Sequence, residues 1–526
     1  MTIGNIPKNV RRKPSRMAQI LIGFIPTSKL QGLTNHSARR RAQANLYHAC
    51  MRDVLHSIVV PGETGVPMIC GNGVWRRCHP ILATFIGDYP EQYLVTCTYS
   101  GQCPKCLAPP GELGKLETFP LRLQSSANDT YHLADEELRV FHAACRNTGL
   151  KPVYHPFWES LPLADIFLSI TPDVLHQLLQ GIMKRLIGWL VSIFGLTVIN
   201  ARCRAMPPNH KVMLFTKGIT SLSRISGHEH KKMCCILVGL IVDLPIPGGW
   251  DSTRLVRAVR ALLDFLYLAQ YQSHTSDTLE QLHNALAAFH DNKAIFVDLG
   301  EREQFNIPKL HSLTHYVSSI RLFGTTDNYN TEQTERLHID FAKNAYRATN
   351  KKDIYSQMTA WLQRREKILI HTMFIKWRQC EDLRQPETHR ISEPPHVPTQ
   401  TIKMAVNPTK SATFEDLACN YGAVDFQDAL ADYLVYLSNP GLSAHSARQR
   451  ADNTLIPFRS VPVFHKIKFT KCGPSGDLEI SDSAHARPKG MDMRARIIPA
   501  RFDTVVVHQD GVPGQGNKGK NYFYRN

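Results

Sequence analysis

The period of the apolar positions changes several times along the chain, and each change marks a predicted element. From Met1 to Pro26 the pattern predicts two strands around a basic turn, the apolar run Met17 to Thr27 having the character of a buried strand. After Ser37, the residues Leu46, Tyr47, Cys50, Met51, Val54 and Leu55 recur at i, i+3, i+4 spacing, with Arg41 and Arg52 opposite them, and predict an amphipathic helix. A Gly- and Pro-rich loop, Pro61 to Gly73, leads into the run Ile81 to Ile86, whose length and β-branched content predict a buried core strand. That strand should stop at Gly87-Asp88-Tyr89-Pro90, which puts Asp88 at its carboxyl end, close to water and held by a rigid sheet.

From Cys97 to about Pro162 the text reads as polar and loop-rich, with turn markers at Pro109-Pro110-Gly111 and Ser125-Ser126. A helix with a broad apolar face then starts at Pro172-Asp173 and carries Val174, Leu175, Leu178, Leu179, Ile182, Met183, Leu186, Ile187 and Leu190. Helical periods dominate from Ser221 to Phe296, broken at Pro245, Pro247 and Gly248-Gly249. Ile307-Pro308 opens another helix, with Leu310, Leu313, Val317 and Ile320 on one side and His311 and His315 on another, ending at Phe323-Gly324. Tyr329 to His338 starts a helix bearing Arg336, Lys343 and Arg347, and Ile354 to Ile370 predicts one whose outer face holds Arg364, Arg365 and Lys367. Glu393 to Thr409 turns to Pro, Ser and Thr, as linkers do. The tail predicts an acidic helix near Glu415 to Leu437 and strands at Val461 to Phe469 and Val505 to His508, before a Gly-rich, aromatic ending.

Composition adds a partner class to this outline. The 526 residues are 43% hydrophobic and 20% charged, ordinary for a globular protein, yet the formal charge is +17, which favours a polyanion such as nucleic acid. The 13 cysteines form no dense, evenly spaced framework, so a reducing compartment is expected. The run at Met17 falls short of the roughly 20 residues that span a bilayer, and no membrane partner is expected. Arg11-Arg12-Lys13 and Arg39-Arg40-Arg41 read as nuclear import signals or as solvated faces.

Three groups of residues carry candidate chemistry. Cys103-Pro104-Lys105-Cys106 has the spacing of two zinc ligands, which need two more from elsewhere; His132, His142, Cys145, His155 and His176 are within range, and a reduced, unliganded pair is the alternative. Asp173 and His176, three apart, project from one helix face, where a helix-dipole contact and an ordinary half-buried histidine are the plain readings. Glu332 and Glu335 begin a helix, where capping explains acids without chemistry; a catalytic reading requires one of them to meet Asp88 across the fold. His228-Glu229-His230 is not the H-E-x-x-H of a zinc protease, and neither a phosphate-binding G-x-x-x-x-G-K-[ST] loop nor a G-x-S-x-G elbow is present, which argues against nucleotide hydrolysis and serine esterase chemistry.

Read in order, TIGNIPKNVRRKPS, GVWRRCHPILATFIGDYPEQ, CPKC, DIFLSITPDVLHQLLQGIMKRLIGWL, the IPKLHSLTHY to RATNKKD segment and SAHARPKG with RIIPARFDTVVV resemble the Plavaka transposases of fungal DNA transposons. These are relatives of the CACTA and Kyakuja-Dileera-Zisupton groups. The resemblance implies an α/β fold: an RNase H-like core, truncated at its first strand, interrupted by a large, mainly helical insertion bearing a zinc knuckle, plus a small α+β C-terminal domain. Its boundaries would be 1–96 and 306–385 for the core, 97–305 for the insertion, 386–412 for a linker and 413–526 for the tail domain. It implies cut-and-paste transposition with Mg²⁺ or Mn²⁺ held by three acids, of which Asp88 matches the second and Glu335 the third, Glu332 being the reserve. It also implies structural zinc, with Cys103, Cys106, Asp173 and His176 matching the family's C-x-x-C and D-x-x-H. Transposon-end DNA would meet Arg336, Lys343, Arg347, Arg364 and Arg365, in the nucleus, with a homo-oligomer allowed. The family's first acid stands upstream of TIGNIP, and this chain begins at Met1-Thr2-Ile3-Gly4, so the expectation is a truncated relic or a gene model with a missed exon, with little or no strand cleavage. The rival expectation is a non-catalytic, zinc-bearing DNA-binding protein.

Overall fold

The computed structural model describes residues 1–13, 16–70, 73–207, 212–223, 225–246, 248–382, 400–405, 407–439, 444–472, 478–491 and 497–503. The chain divides into two units, Met1–Met206 with Leu214–Pro386, and Pro207–Met213 with Glu387–Asn526. Helices dominate the first; the second mixes helices with small antiparallel sheets.

In the first unit the helix His36–Leu55 begins where Asn35 caps it, its side chain accepting from Ala38 N at 3.0 Å. Its Tyr47, Met51 and Val54 pack on a core of Val95, Tyr131, Phe141, Cys145, Phe157, Trp158 and Ile166. Most of that core comes from the segment expected to be loop. Residues 97–162 contain the helices Gln124–His132 and Leu138–Thr148, and Trp158 is wholly buried, its indole N–H donating to Val95 O at 2.8 Å. Single large aromatics, widely spaced, supply this core, and such spacing leaves no helical period to read.

The apolar face predicted after Pro172 is real. Val174–Met183 winds in wider, π-type turns and continues as Lys184–Phe194, with all nine predicted apolar residues buried. Gly181 is needed here, because a Cβ would lie 2.8 Å from both His176 O and Lys309 Cδ. Ser252–Leu268 and Ser276–Asn292 pack together as a helical pair, and Trp189, Phe296 and Phe305 meet in an aromatic cluster with centroids 5.0 to 6.5 Å apart. The helical run Pro308–His311, Ser312–His315 and Tyr316–Phe323 ends at Gly324, as its sequence predicts. Thr331–His338, Ile339–Lys343 and Asn344–Arg347 follow, then the long helix Ile354–Asp382.

The strand expectations fare worse. Among the described residues, the first unit's only sheet is an antiparallel ribbon of Val66–Ile69 and Trp75–Cys78, both largely exposed. Ile81 to Ile86 forms no strand: one bridge joins Phe85 to Ile170, with Phe85 N donating to Ser169 O at 2.9 Å. Its neighbour is already wound into the helix Ile166–Ser169, so only one extended residue remains to pair with it. Met1 to Pro26 is not two strands either. It holds the short helix Lys8–Arg11, and an N-terminal contact pairs Met1 with Ile20 at 2.6 and 2.8 Å, leaving Ile20 and Ile22 exposed.

In the second unit, Arg501–Phe502, Leu478–Arg487, Lys466–Cys472 and Gln400–Lys403 form an antiparallel sheet in that order, and Lys410–Thr413 pairs with Ser460–Val463. Residues 400–403 and 410–412, expected in the linker, are therefore in strands. The predicted acidic helix is two, Phe414–Tyr421 and Phe426–Ser438, parted by Gly422 at φ +69°. The strand expected at Val505 to His508 lies outside the described residues.

Candidate metal centre and the acidic cluster

Cys103 and Cys106 lie on a turn with a small core of its own, made with Ala108, Leu113 and Phe119. Arg122 closes the turn, its Nε donating to Cys103 O at 2.9 Å and its backbone N to Lys105 O at 2.9 Å. The cysteines face His311 and His315 on the helical run that Pro308 opens. Cys106 Sγ is 3.1 Å from His311 Nε2, and Cys103 Sγ is 3.3 Å from His315 Nε2. All four donor atoms lie within 4.8 Å of one another. Ligands of tetrahedral zinc stand ~3.5 Å apart, so the quartet already has nearly the needed spacing.

Its electrostatics fit a dication. Burial resists ionisation of Cys103, but hydrogen bonds from Cys106, His311 and His315 bring its thiol well below the usual range. The hydrogen bond to that sulfur, with burial, pushes Cys106 the other way, since two thiolates cannot stand side by side in a dry site. A divalent cation lets both ionise, so this cluster is a candidate zinc site. His311 Nδ1 is buried without a hydrogen-bond partner, so this ligand lacks the outer acceptor that usually orients a metal-binding histidine.

This corrects the expected ligand set. Asp173 and His176 are not the partners of the cysteines, because both are bound elsewhere. Nor do the other candidates join the group: His132 and His155 pair with Glu159, His142 lies against Phe141, and Cys145 is sunk in the aromatic core. The spacing of His311 and His315, four apart on one face, was the available signal.

Asp88 sits at the N-cap of Tyr89–Val95, accepting from Glu91 N at 2.8 Å, and not at a strand end. A relay of buried amides fixes this turn. Gln92 donates to Gly87 O at 3.0 Å and Thr171 O at 2.9 Å, Gln177 donates to Gln92 at 3.0 Å, and Asp173 N donates to Gln177 at 3.2 Å. Asp173, wholly buried, caps the next helix through Leu175 N and His176 N, and accepts from Thr331 Oγ1 at 2.6 Å. Thr331 opens the helix that carries Glu335.

His176 stands where these elements meet. Its Nδ1 is 2.7 Å from Asp173 Oδ2 and its Nε2 is 3.0 Å from Glu335 Oε1. The Asp173 hydrogen bond raises its pKa against the effect of burial, with further contributions from the charges of Asp173, Glu335 and Asp88. Lys309 Nζ donates to His176 O at 2.8 Å and feels Asp173 and Asp88 as well. Glu332 turns instead to Asn330. Glu335 is thus brought to His176 from a distant part of the chain, and the charge of Asp88 is felt at the same ring.

One buried cation ties the cysteine turn to the segment that leads to Asp173. Lys105, between the two cysteines, buries its ammonium against Ile170 O and Leu168 O, just before Asp173, and burial lowers its pKa to about 8. The N-terminal segment braces the other side: Lys8 and Arg12 pair with Asp327 at 3.2 Å, Arg11 reaches Asn328 at 2.8 Å, and Gln333 donates to Arg11 O at 3.1 Å.

Of the candidate DNA contacts, Lys343, Arg347 and Arg364 are exposed and Arg336 is exposed beside Asp340. Arg365 is half-buried over Trp361 and reaches Asp340, so its charge is partly used inside the fold. No single helix among the described residues is long and apolar enough to cross a membrane.

A search of curated proteins gives no match. Residues 1–190, which carry Asp88, both cysteines, Asp173 and His176, match the family model described as Plavaka transposase, and over that part of the chain the family its motifs resemble is the family found.

Proposed function

We propose that this chain binds DNA and cuts and joins its phosphodiester bonds as a transposase, with Asp88 and Glu335 as two of the acids that hold Mg²⁺ or Mn²⁺. The observation that carries this reading is the contact of Glu335 with His176, a ring that also feels the charge of Asp88, on elements held by the Gln92–Gln177 relay and the Asp173–Thr331 bond. It favours Glu335 over Glu332 as the third acid. The donors fit a hard cation in kind, being carboxylates, but fall short in number, since Asp173 is spent on capping and on His176.

When bound, the metal supplies a Lewis acid for the phosphate and activates the attacking oxygen. The chain's own part is placement. Asp173 fixes the His176 ring, His176 holds the Glu335 carboxylate, and the Asp88 turn is fixed by its cap. Arg336, Lys343, Arg347 and Arg364 offer cations to the DNA backbone, which would position the strand without reading sequence. The Cys103, Cys106, His311 and His315 zinc site ties the insertion to the segment that leads to Glu335. Action in the nucleus completes the reading. Arg40 and Arg41, both exposed, suit an import signal better than Arg11 and Arg12, which are built into the fold.

The test is nicking of duplex DNA by the full chain with and without Mn²⁺. Metal-dependent nicking that Asp88→Ala and Glu335→Ala each abolish is expected. Nicking unaffected by both would remove the site assignment, and salt-dependent DNA binding without any nicking would favour the non-catalytic DNA-binding protein.

A further inference from the structure

In the second unit, strand register sets basic side chains directly against one another. Lys466 lies opposite His485, and Arg487 lies opposite Arg501. His485 and Arg487 are two apart on their strand, so these four residues share one face of the sheet. Like charges in opposed positions destabilise a sheet, and an anion between them would offset that cost.

Asp503 answers part of that need. It accepts from the His485 backbone N at 2.9 Å and from His485 Nδ1 at 2.8 Å, and it takes Arg501 Nε at 3.1 Å. Arg487 is not answered. One Nη reaches Pro499 O at 3.3 Å, but its Nε is buried with no hydrogen-bond partner. His465, bonded to Tyr421 Oη at 2.8 Å, has its pKa lowered by burial and by the charges of Lys410 and Arg487, a sign of the field in which it sits. These residues, His465, Lys466, His485, Arg487 and Arg501, line one open cavity of about 230 Å³.

We propose that this cavity binds a backbone phosphate of nucleic acid. Guanidinium groups present parallel N–H donors that match phosphate oxygens, and a phosphate between Arg487 and Arg501 would relieve their repulsion while giving the buried Nε an acceptor. The cavity is open and wide enough for a chain-borne phosphate, and the protein's charge of +17 favours a polyanion over a small free anion. The site lies wholly in the second unit and does not depend on the strand-transfer reading of the first.

The test measures duplex DNA affinity of the full chain against salt concentration, by fluorescence anisotropy. Arg487→Gln/Arg501→Gln should lower the magnitude of the slope of log K against log salt by about 1, because one phosphate contact is lost. Without DNA, Arg487→Gln alone, which leaves the Arg501–Asp503 pair in place, should melt no lower than the wild type, because a repulsion has been removed. Arg487→Lys/Arg501→Lys, which keeps the charge, should keep the slope. An unchanged slope in the Gln variant overturns the proposal, as does an equal loss in the Lys variant, which would make the effect one of folding. Inorganic phosphate is the further arm: if it raises the melting temperature of the wild type but not of the Gln variant, while DNA affinity is the same in both, the cavity takes a free anion and the nucleic-acid assignment falls.

Discussion

The first unit holds two candidate metal-binding regions side by side, and they are built on opposite plans. The Cys103, Cys106, His311 and His315 centre is dry, has soft donors and has a full set of four. The acidic cluster around His176 has hard donors, an exposed Glu335 and fewer carboxylates than a divalent ion needs. A closed tetrahedral set leaves no position for substrate, so the first can only hold the chain together. An open, under-filled set can exchange water or phosphate, so only the second can do chemistry. The contrast suits the first to a structural role and the second to the reactive role proposed for it, although Lys105 links the first to the segment that leads to Asp173.

The largest effect should follow from breaking the closed centre. Structural zinc supplies on the order of 10 kcal/mol of apparent folding free energy in small domains, and here four ligands from two distant segments share it. Cys103→Ser/Cys106→Ser should lose the bound zinc, measured by elemental analysis, and the 97–123 segment should become open to protease. Full zinc content in that variant would end the assignment. Next in size, Asp88→Ala or Glu335→Ala should leave zinc untouched but weaken Mn²⁺ binding, followed by electron paramagnetic resonance, by more than the roughly 100-fold that marks loss of an outer-shell group. If either variant lost zinc instead, the two regions would not be separable.

How much of this the sequence shows depends on the range over which each feature is determined. The helix after Pro172 and the one that Gly324 ends are local: a cap, an apolar stripe and a stop lie within one segment. The C-x-x-C pair is equally local, and His311 with His315 was visible as an i, i+4 pair, but nothing in the text joins the pairs, because that junction is made by tertiary packing. Ile81 to Ile86 fails for the same reason in reverse. Its composition suits a strand, yet a strand exists only with a partner, and its partner is one residue, Ile170. Asp173 and His176 are legible as a face of a helix but not as neighbours of Glu335, since Thr331 supplies that link across the fold.

A smaller effect tests whether His176 acts through Glu335. His176→Ala should weaken Mn²⁺ binding ~10- to 100-fold, as loss of an outer-shell group does, with zinc content unchanged. His176→Gln, which can still reach Glu335 from a position near Nε2, should recover most of that loss, whereas His176→Asn, which keeps only the Asp173 side, should not. Equal behaviour of Gln and Asn would mean that the histidine merely fills space.

The smallest effect separates acid sensitivity of the fold from acid loss of zinc. His48 is fully buried between Leu94 O, 2.9 Å from Nε2, and Phe157 N, 3.4 Å from Nδ1, which satisfies a neutral ring and leaves no acceptor for a second proton. Burial lowers its pKa from 6.5 to about 4, assisted by Lys151 and Arg52 and opposed by the Leu94 carbonyl. The unfolded chain therefore takes up a proton before the folded one does. Stability from this group is level above pH 6.5 and falls as the pH drops toward 4. Between pH 7 and 5.5 the loss is about 1 kcal/mol. Protons also compete for the Cys and His ligands of the closed centre over the same range. Urea midpoints of the zinc-loaded protein at the two pH values should differ by the sum of both effects. In His48→Gln, which keeps a donor toward Leu94 but cannot titrate, the difference should shrink by about 1 kcal/mol, and the remainder should track zinc release. A remainder with no zinc release would place the acid-sensitive group elsewhere.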